Sequence, residues 1–87
     1  MLKYHFYIAR CLDKTLYVGS TDNIDKRIIR HNTGQGSKWI KQHGTAEIIY
    51  AEDYNTLLEV RRRERQVKKW SRVKKENLIS GKWGKLK

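Results

Sequence analysis

Aromatic and β-branched residues crowd Tyr4 to Arg10, Leu12-Asp13-Lys14 interrupts them, and the same character returns at Leu16 to Ser20. That pattern predicts an antiparallel hairpin. A period of two places Tyr4, Phe6 and Ile8 on one face and His5, Tyr7 and Ala9 on the other, while Leu16 and Val18 oppose Tyr17 and Gly19. On this pattern Tyr7 and Tyr17 need not be core residues.

Past the hairpin the period changes. Ser20-Thr21-Asp22-Asn23 offers several N-cap oxygens, Asp25 falls in a first turn, and Ile24, Arg27, Ile28 and His31 recur at helical spacing, which predicts a short helix over about 23–32. Thr33-Gly34-Gln35-Gly36-Ser37 reads as a loop, Lys38 to Gln42 as a short turn, and Ala46 to Asp53 as a third strand. Thr56-x-x-Glu59 is a capping-box pattern opening a helix to about Trp70. Ser71 can cap a further helix, Arg72 to Ser80, with Gly81 at its end. The chain shows no repeat or linker, so the expectation is one α+β domain over 1–87 with about three main helices.

One polar residue interrupts this scheme. At about 100° per residue, Leu57, Val60 and Val67 fall within an arc about 80° wide, and Glu64 lies inside it. A carboxylate in an apolar stripe calls for a nearby cation, either a metal ion or an arginine, or for a place at the stripe's end that reaches water. On the shorter helix, Arg27 and His31 stand one turn apart beside Ile24 and Ile28. Arg27 suits a two-pronged contact to phosphate, or a surface role with its stem over the isoleucines; His31 suits the same groove, or the helix dipole.

Charge narrows the choice of partner. The 87 residues carry a formal net charge of +11, and it is uneven: residues 1–56 hold eight basic against six acidic side chains, residues 57–87 twelve against three. A block of this kind suits a polyanion, because neutralising phosphates releases condensed counterions; a solubilising surface or anionic lipid is the alternative. No apolar run approaches the roughly 20 residues of a membrane span, and the first residues lack a signal-peptide core, so a cytoplasmic protein is expected. The single cysteine, Cys11, permits no internal disulfide and no paired-cysteine zinc site, and is taken as a spectator. His5, His31 and His43 form no H-x-x-x-H pattern, and no Walker loop or nucleophile elbow is present.

His5-Phe6-Tyr7, then Tyr17-Val18-Gly19, then Arg27 with His31 four residues on, followed by Glu64-Arg65-Gln66-Val67-Lys68 and Asn77-Leu78-Ile79, resemble in order and spacing the GIY-YIG nuclease domain over about residues 4–80. The likeness is to its small stand-alone bacterial members, which look like the N-terminal nuclease domain of the excision-repair excinuclease. His5 and Phe6 replace the first glycine and isoleucine of the first tripeptide, and Ser20 stands where the excision-repair branch carries a lysine. The resemblance implies a small three-stranded mixed sheet carrying helices. It also implies a divalent-metal-dependent endonuclease acting on DNA, or RNA, with weak sequence specificity and no small-molecule substrate.

In that reading Glu64 holds Mg²⁺ or Mn²⁺, and Tyr7, Tyr17, Arg27 and His31 form the rest of the catalytic set. Either phenol can be the base once Arg27 or the metal lowers its pKa, with His31 as the alternative base. Gly19 would let a phosphate approach closely. Arg61, Arg62, Arg63, Arg65, Lys68, Lys69, Arg72, Lys74, Lys75 and Asn77 would follow the nucleic-acid backbone. Trp70 is expected in the core and Trp83 against the tail, with Trp39 open to a base. A non-catalytic nucleic-acid-binding module with the same fold is the alternative.

Overall fold

The computed structural model describes residues 3–30, 32 and 42–81. The expectations for His31, Trp39, Trp83 and the Gly34-Gln35-Gly36 loop lie outside these residues. Strands β1 (Tyr4–Cys11), β2 (Leu16–Thr21) and β3 (Ala46–Tyr54) alternate with helices α1 (Ile24–Arg30), α2 (Leu57–Lys68) and α3 (Arg72–Ser80) in the order ββαβαα. No helix among the described residues is long and apolar enough to cross a membrane.

The sheet order is β2-β1-β3, and both pairs are antiparallel, His5 facing Thr21 on one side and Asp53 on the other. This corrects the expected mixed sheet. After β2 the chain returns along the sheet, so β3 runs in the direction of β2. Because β1 lies between them, no parallel pair forms among the described strands.

As the central strand, β1 buries both faces. Phe6 and Ile8 join Val18, Val60, Val67 and Leu78 beneath α2 and α3, whereas Tyr7, Ala9 and Cys11 join Ala46, with Tyr17, Ile28 and Ile48 packed against them. Tyr7 is therefore a core residue, only 3% exposed, against the looser expectation from alternation alone. Cys11 is buried in the same cluster. Strict alternation along β3 would put Ala46, Ile48, Tyr50, Glu52 and Tyr54 on one face. A bulge shifts the register, Ile8 facing Tyr50 but Ala9 facing Ile48, so Ala46 and Ile48 serve one core and Tyr50 and Tyr54 the other.

The helix ends follow their caps. Asn23 Oδ1 accepts from Lys26 N (3.0 Å), Thr56 Oγ1 from Glu59 N (3.2 Å) and Ser71 Oγ from Lys74 N (3.2 Å), while Gly81 closes α3 at φ 73°. Of the predicted apolar stripe on α2, Val60 and Val67 are fully buried; Leu57 is 45% exposed because it sits in the first turn, beyond the sheet's cover.

One buried polar centre was not foreseen. Glu52 accepts the Tyr50 and Tyr54 hydroxyls (2.5 and 2.6 Å) and a two-pronged contact from Arg63, Nε at 2.9 Å and Nη2 at 3.0 Å. The Arg63 guanidinium lies 5.9 Å from the Phe6 ring centroid and 5.3 Å from that of Trp70, which packs against the core as expected. Both members of the ion pair are four-fifths buried, so Arg63→Met strands a carboxylate and should lower unfolding free energy by about 3 kcal/mol in urea titration. A loss under about 0.5 kcal/mol, the scale of exposed pairs, would contradict this.

The same centre fixes two pH limits. Burial alone would raise Glu52, but the bonds from Arg63, Tyr50 and Tyr54 outweigh it and hold the carboxyl below its ordinary value of 4.5. A carboxyl lowered by folding adds stability above about pH 4.5 that fades as the pH falls further. Tyr50 is pushed up to about 12, first by burial and then by Glu52, and Tyr54 moves the same way. A phenol raised by folding adds stability that is complete below pH 10 and lost between there and about 12. Chemical denaturation across pH should show both flanks, and Tyr50→Phe should weaken the alkaline one.

Candidate active site

Gly19 faces Tyr7 across the β1–β2 ladder, and its lack of a side chain decides where the Tyr7 ring goes. A Cβ at Gly19 would lie 2.6 Å from the Tyr7 hydroxyl, 2.8 Å from Cζ and 3.2 Å from Tyr17 Cε2. The phenol thus lies across the edge strand in the space a side chain would fill. This revises the expected role of Gly19: the close approach it permits is that of Tyr7. The Tyr17 ring stands beside it, centroids 6.1 Å apart and planes tilted by 37°.

From α1, Arg27 Nε donates to the Tyr7 hydroxyl at 3.1 Å. Burial raises the Tyr7 phenol above its ordinary pKa of 10, and the Arg27 bond and charge pull it back only in part. The expectation that Arg27 would lower it has the right sign for that contact, but desolvation is larger. Arg27 itself is held further above its usual value, mainly by the bond to Tyr7 against the opposing effect of burial, with a smaller contribution from Tyr17. One guanidinium therefore serves both phenols.

Glu64 arrives from the opposite face of the sheet. Ser20 shares that face with Val18, and its Oγ donates to Glu64 Oε1 at 2.6 Å; Lys68, one turn along α2, places Nζ 3.1 Å from Oε2. The protein cation beside this largely buried carboxylate is thus a lysine of its own helix, where the sequence pattern pointed to a metal ion or an arginine. At the end of β2 the two halves meet: Ser20, Arg27, Arg61, Glu64, Arg65 and Lys68 line one open cleft of about 430 Å³.

The basic segment divides by helical phase. Arg61, Arg65 and Lys68 recur at i, i+4 and i+7 and face the cleft, whereas Arg62 is exposed elsewhere on α2 and Lys69 at its C-cap. Arg63 points inward to Glu52, so its place among the nucleic-acid contacts is corrected to a structural one. On α3, Arg72 pairs with Glu76 at 3.2 Å, and Glu76 also takes Arg10 at 2.6 Å. Lys74 Nζ lies 4.5 Å from the Trp70 ring centroid, and Lys75 and Asn77 are half-buried. The cleft therefore brings together Arg27 and Glu64 with Arg61, Arg65 and Lys68, with Tyr7 reached through Arg27. It is not lined by Tyr17, which stands beside Tyr7 and Arg27, nor by Arg62, Arg63, Lys69, Arg72, Lys74, Lys75 or Asn77. Ser20 is the site residue that sequence reasoning missed, although its period-two position beside Val18 was the available signal.

Among the described residues no three His, Cys, Asp or Glu side chains converge to hold a metal. Glu64 offers a single carboxylate to a wet cleft. Magnesium accepts such a site, filling its remaining positions with water and phosphate oxygens, so the residues present fit a hard divalent ion shared with a substrate.

Residues 3–77 match the family model of the GIY-YIG catalytic domain. A UPF0213 protein of Staphylococcus saprophyticus is 44% identical over 80 residues, covering 92% of this chain and 98% of its own. One of Syntrophus aciditrophicus is 44% identical over 80 residues, covering 91% and 92%. The solution NMR structure of a UPF0213 protein of Bacillus halodurans superposes with a TM-score of 0.59 at 36% identity, covering 93% of this chain and 86% of that one.

Proposed function

Because the chain belongs to the GIY-YIG family, matched over residues 3–77, we propose that it is a divalent-metal-dependent endonuclease that hydrolyses phosphodiester bonds in DNA with little sequence preference. The observation that carries this is the single cleft into which Arg27, fixed by Tyr7, and Glu64, fixed by Ser20, both project. A phosphodiester seated there would meet the Arg27 guanidinium and Glu64, the residue that would hold the ion. When bound at Glu64, Mg²⁺ or Mn²⁺ supplies positive charge to the leaving oxygen.

The side chains of the chain do the rest. Arg27 steadies charge developing on the phosphoryl oxygens and orients both phenols. Tyr7, buried and raised in pKa, holds Arg27 in place. Tyr17 is only half-buried, and in this reading its phenolate form would meet the attacking water and take the proton, becoming the neutral phenol. Arg61, Arg65 and Lys68 bind the flanking phosphates. They touch backbone charge and carry no base-edge recognition, in keeping with weak specificity.

The non-catalytic alternative draws on one observation: both Glu64 oxygens are already engaged, by Ser20 and Lys68. A panel of branched, nicked, duplex and single-stranded DNA and RNA, incubated with Mg²⁺, Mn²⁺ or chelator, separates the two. Cleavage that disappears with chelator is expected. Salt-sensitive binding with no cleavage on any substrate in either metal would leave the binding module.

A further inference from the structure

Arg27, Arg61, Arg65 and Lys68 surround one carboxylate, Glu64, in a cleft only a few side chains across. A divalent ion entering the free protein therefore meets net positive charge at distances shorter than the roughly 8 Å over which salt screens it. The one carboxylate among the described residues that line it is also occupied, Oε1 by the Ser20 hydroxyl and Oε2 by the Lys68 ammonium at 3.1 Å. The two partners differ in kind. Ser20 is neutral and can keep orienting Oε1, whereas Lys68 holds the charge a metal would bring.

The Lys68 side chain is 56% exposed against 22% for Glu64, and it ends a flexible four-carbon stem. A change of rotamer takes its ammonium off the carboxylate toward the cleft, with no shift of α2. A phosphodiester in the cleft both attracts that ammonium and cancels the repulsion felt by the ion.

Resting on the endonuclease reading above, we infer that Lys68 is an exchangeable counterion. It neutralises Glu64 in the free protein and passes to phosphate when the metal arrives, so that metal and nucleic acid bind with positive coupling. Each then tightens the other by the same factor. Removing the ammonium takes away both a competitor and a like charge a few ångströms from the ion, which should tighten metal binding by about tenfold.

The test is Mn²⁺ binding followed by the electron paramagnetic resonance signal of the free ion. It compares wild type, Lys68→Met, Lys14→Gln and Glu64→Gln, alone and with a phosphorothioate oligonucleotide whose own Mn²⁺ uptake is subtracted. Methionine is a good helix former, so α2 should persist. Lys14, at the far end of the hairpin, controls for net charge. Lys68→Met alone should bind Mn²⁺ about tenfold tighter than wild type and gain less from the oligonucleotide, while Lys14→Gln follows wild type. Glu64-dependent binding of equal strength in wild type and Lys68→Met would overturn the exchange and leave the nuclease reading standing. Mn²⁺ uptake that Glu64→Gln does not weaken would overturn both.

Discussion

Glu64→Gln is expected to reduce metal-dependent cleavage at least a thousandfold while nucleic-acid affinity stays equal or rises. The amide keeps the shape of the carboxylate and can still accept the Ser20 hydroxyl, so the cleft should keep its form. What it loses is the one carboxylate charge among the described residues that line this cleft. A thousandfold corresponds to about 4 kcal/mol of transition-state stabilisation, within what a correctly placed ion supplies. Affinity should move the other way because the substitution removes a negative charge that faces phosphate and releases Lys68 from its partner. Plasmid nicking and fluorescence anisotropy on one preparation would measure the two effects. Nicking at the wild-type rate would end the assignment of Glu64.

Gly19→Ala should cost about a hundredfold in cleavage for a reason that involves no charge. The strand backbone accepts alanine, but the new Cβ would sit 2.6 Å from the Tyr7 hydroxyl and 2.8 Å from Cζ. Both are inside any permitted contact, so the ring must move. A buried phenol has little room, and the movement breaks the 3.1 Å bond from Arg27, which releases the guanidinium from its place. Displacements of about 1 Å in a positioning group can cost two orders of magnitude. The control is Tyr7→Phe in the Gly19→Ala background: the phenylalanine lacks the atom in closest conflict and should recover stability without recovering activity. Gly19→Ala at wild-type activity would show that the placement of Tyr7 does not matter.

Much of this site could be read along the chain. The Glu64 position inside an apolar arc called for a metal ion, an arginine or an outlet to water, and the structure supplies Lys68 one turn along instead. The phase of Arg27 beside Ile24 and Ile28 allowed it either a groove or a surface place, and the bond to Tyr7 decides for the groove. The two tyrosines could be placed on strands of one hairpin, and the observed register then makes their rings neighbours. The caps at Thr56, Ser71 and Gly81 fell where short-range hydrogen bonding puts them.

Other features depend on contacts between segments far apart in sequence. Arg63 reads as one member of a basic run, yet it ends on Glu52 because that carboxylate faces Phe6 across the sheet. Ser20 carries no chemical signal of its own until α2 crosses its face and brings Glu64 within 2.6 Å. The Gly19 gap is visible only once a ring fills it.

By itself the sequence determined the elements, their order, the helix ends and which residues could carry charge into a site, because these follow from periodicity, caps and composition within a few residues. The tertiary structure decided that β1 is central, that Tyr7 is buried, that Arg63 turns inward and that Arg27 and Glu64 reach one cleft from opposite faces of the sheet. Strand order and helix docking set those distances, and both are chosen by burial summed over the whole chain, which no local stretch encodes.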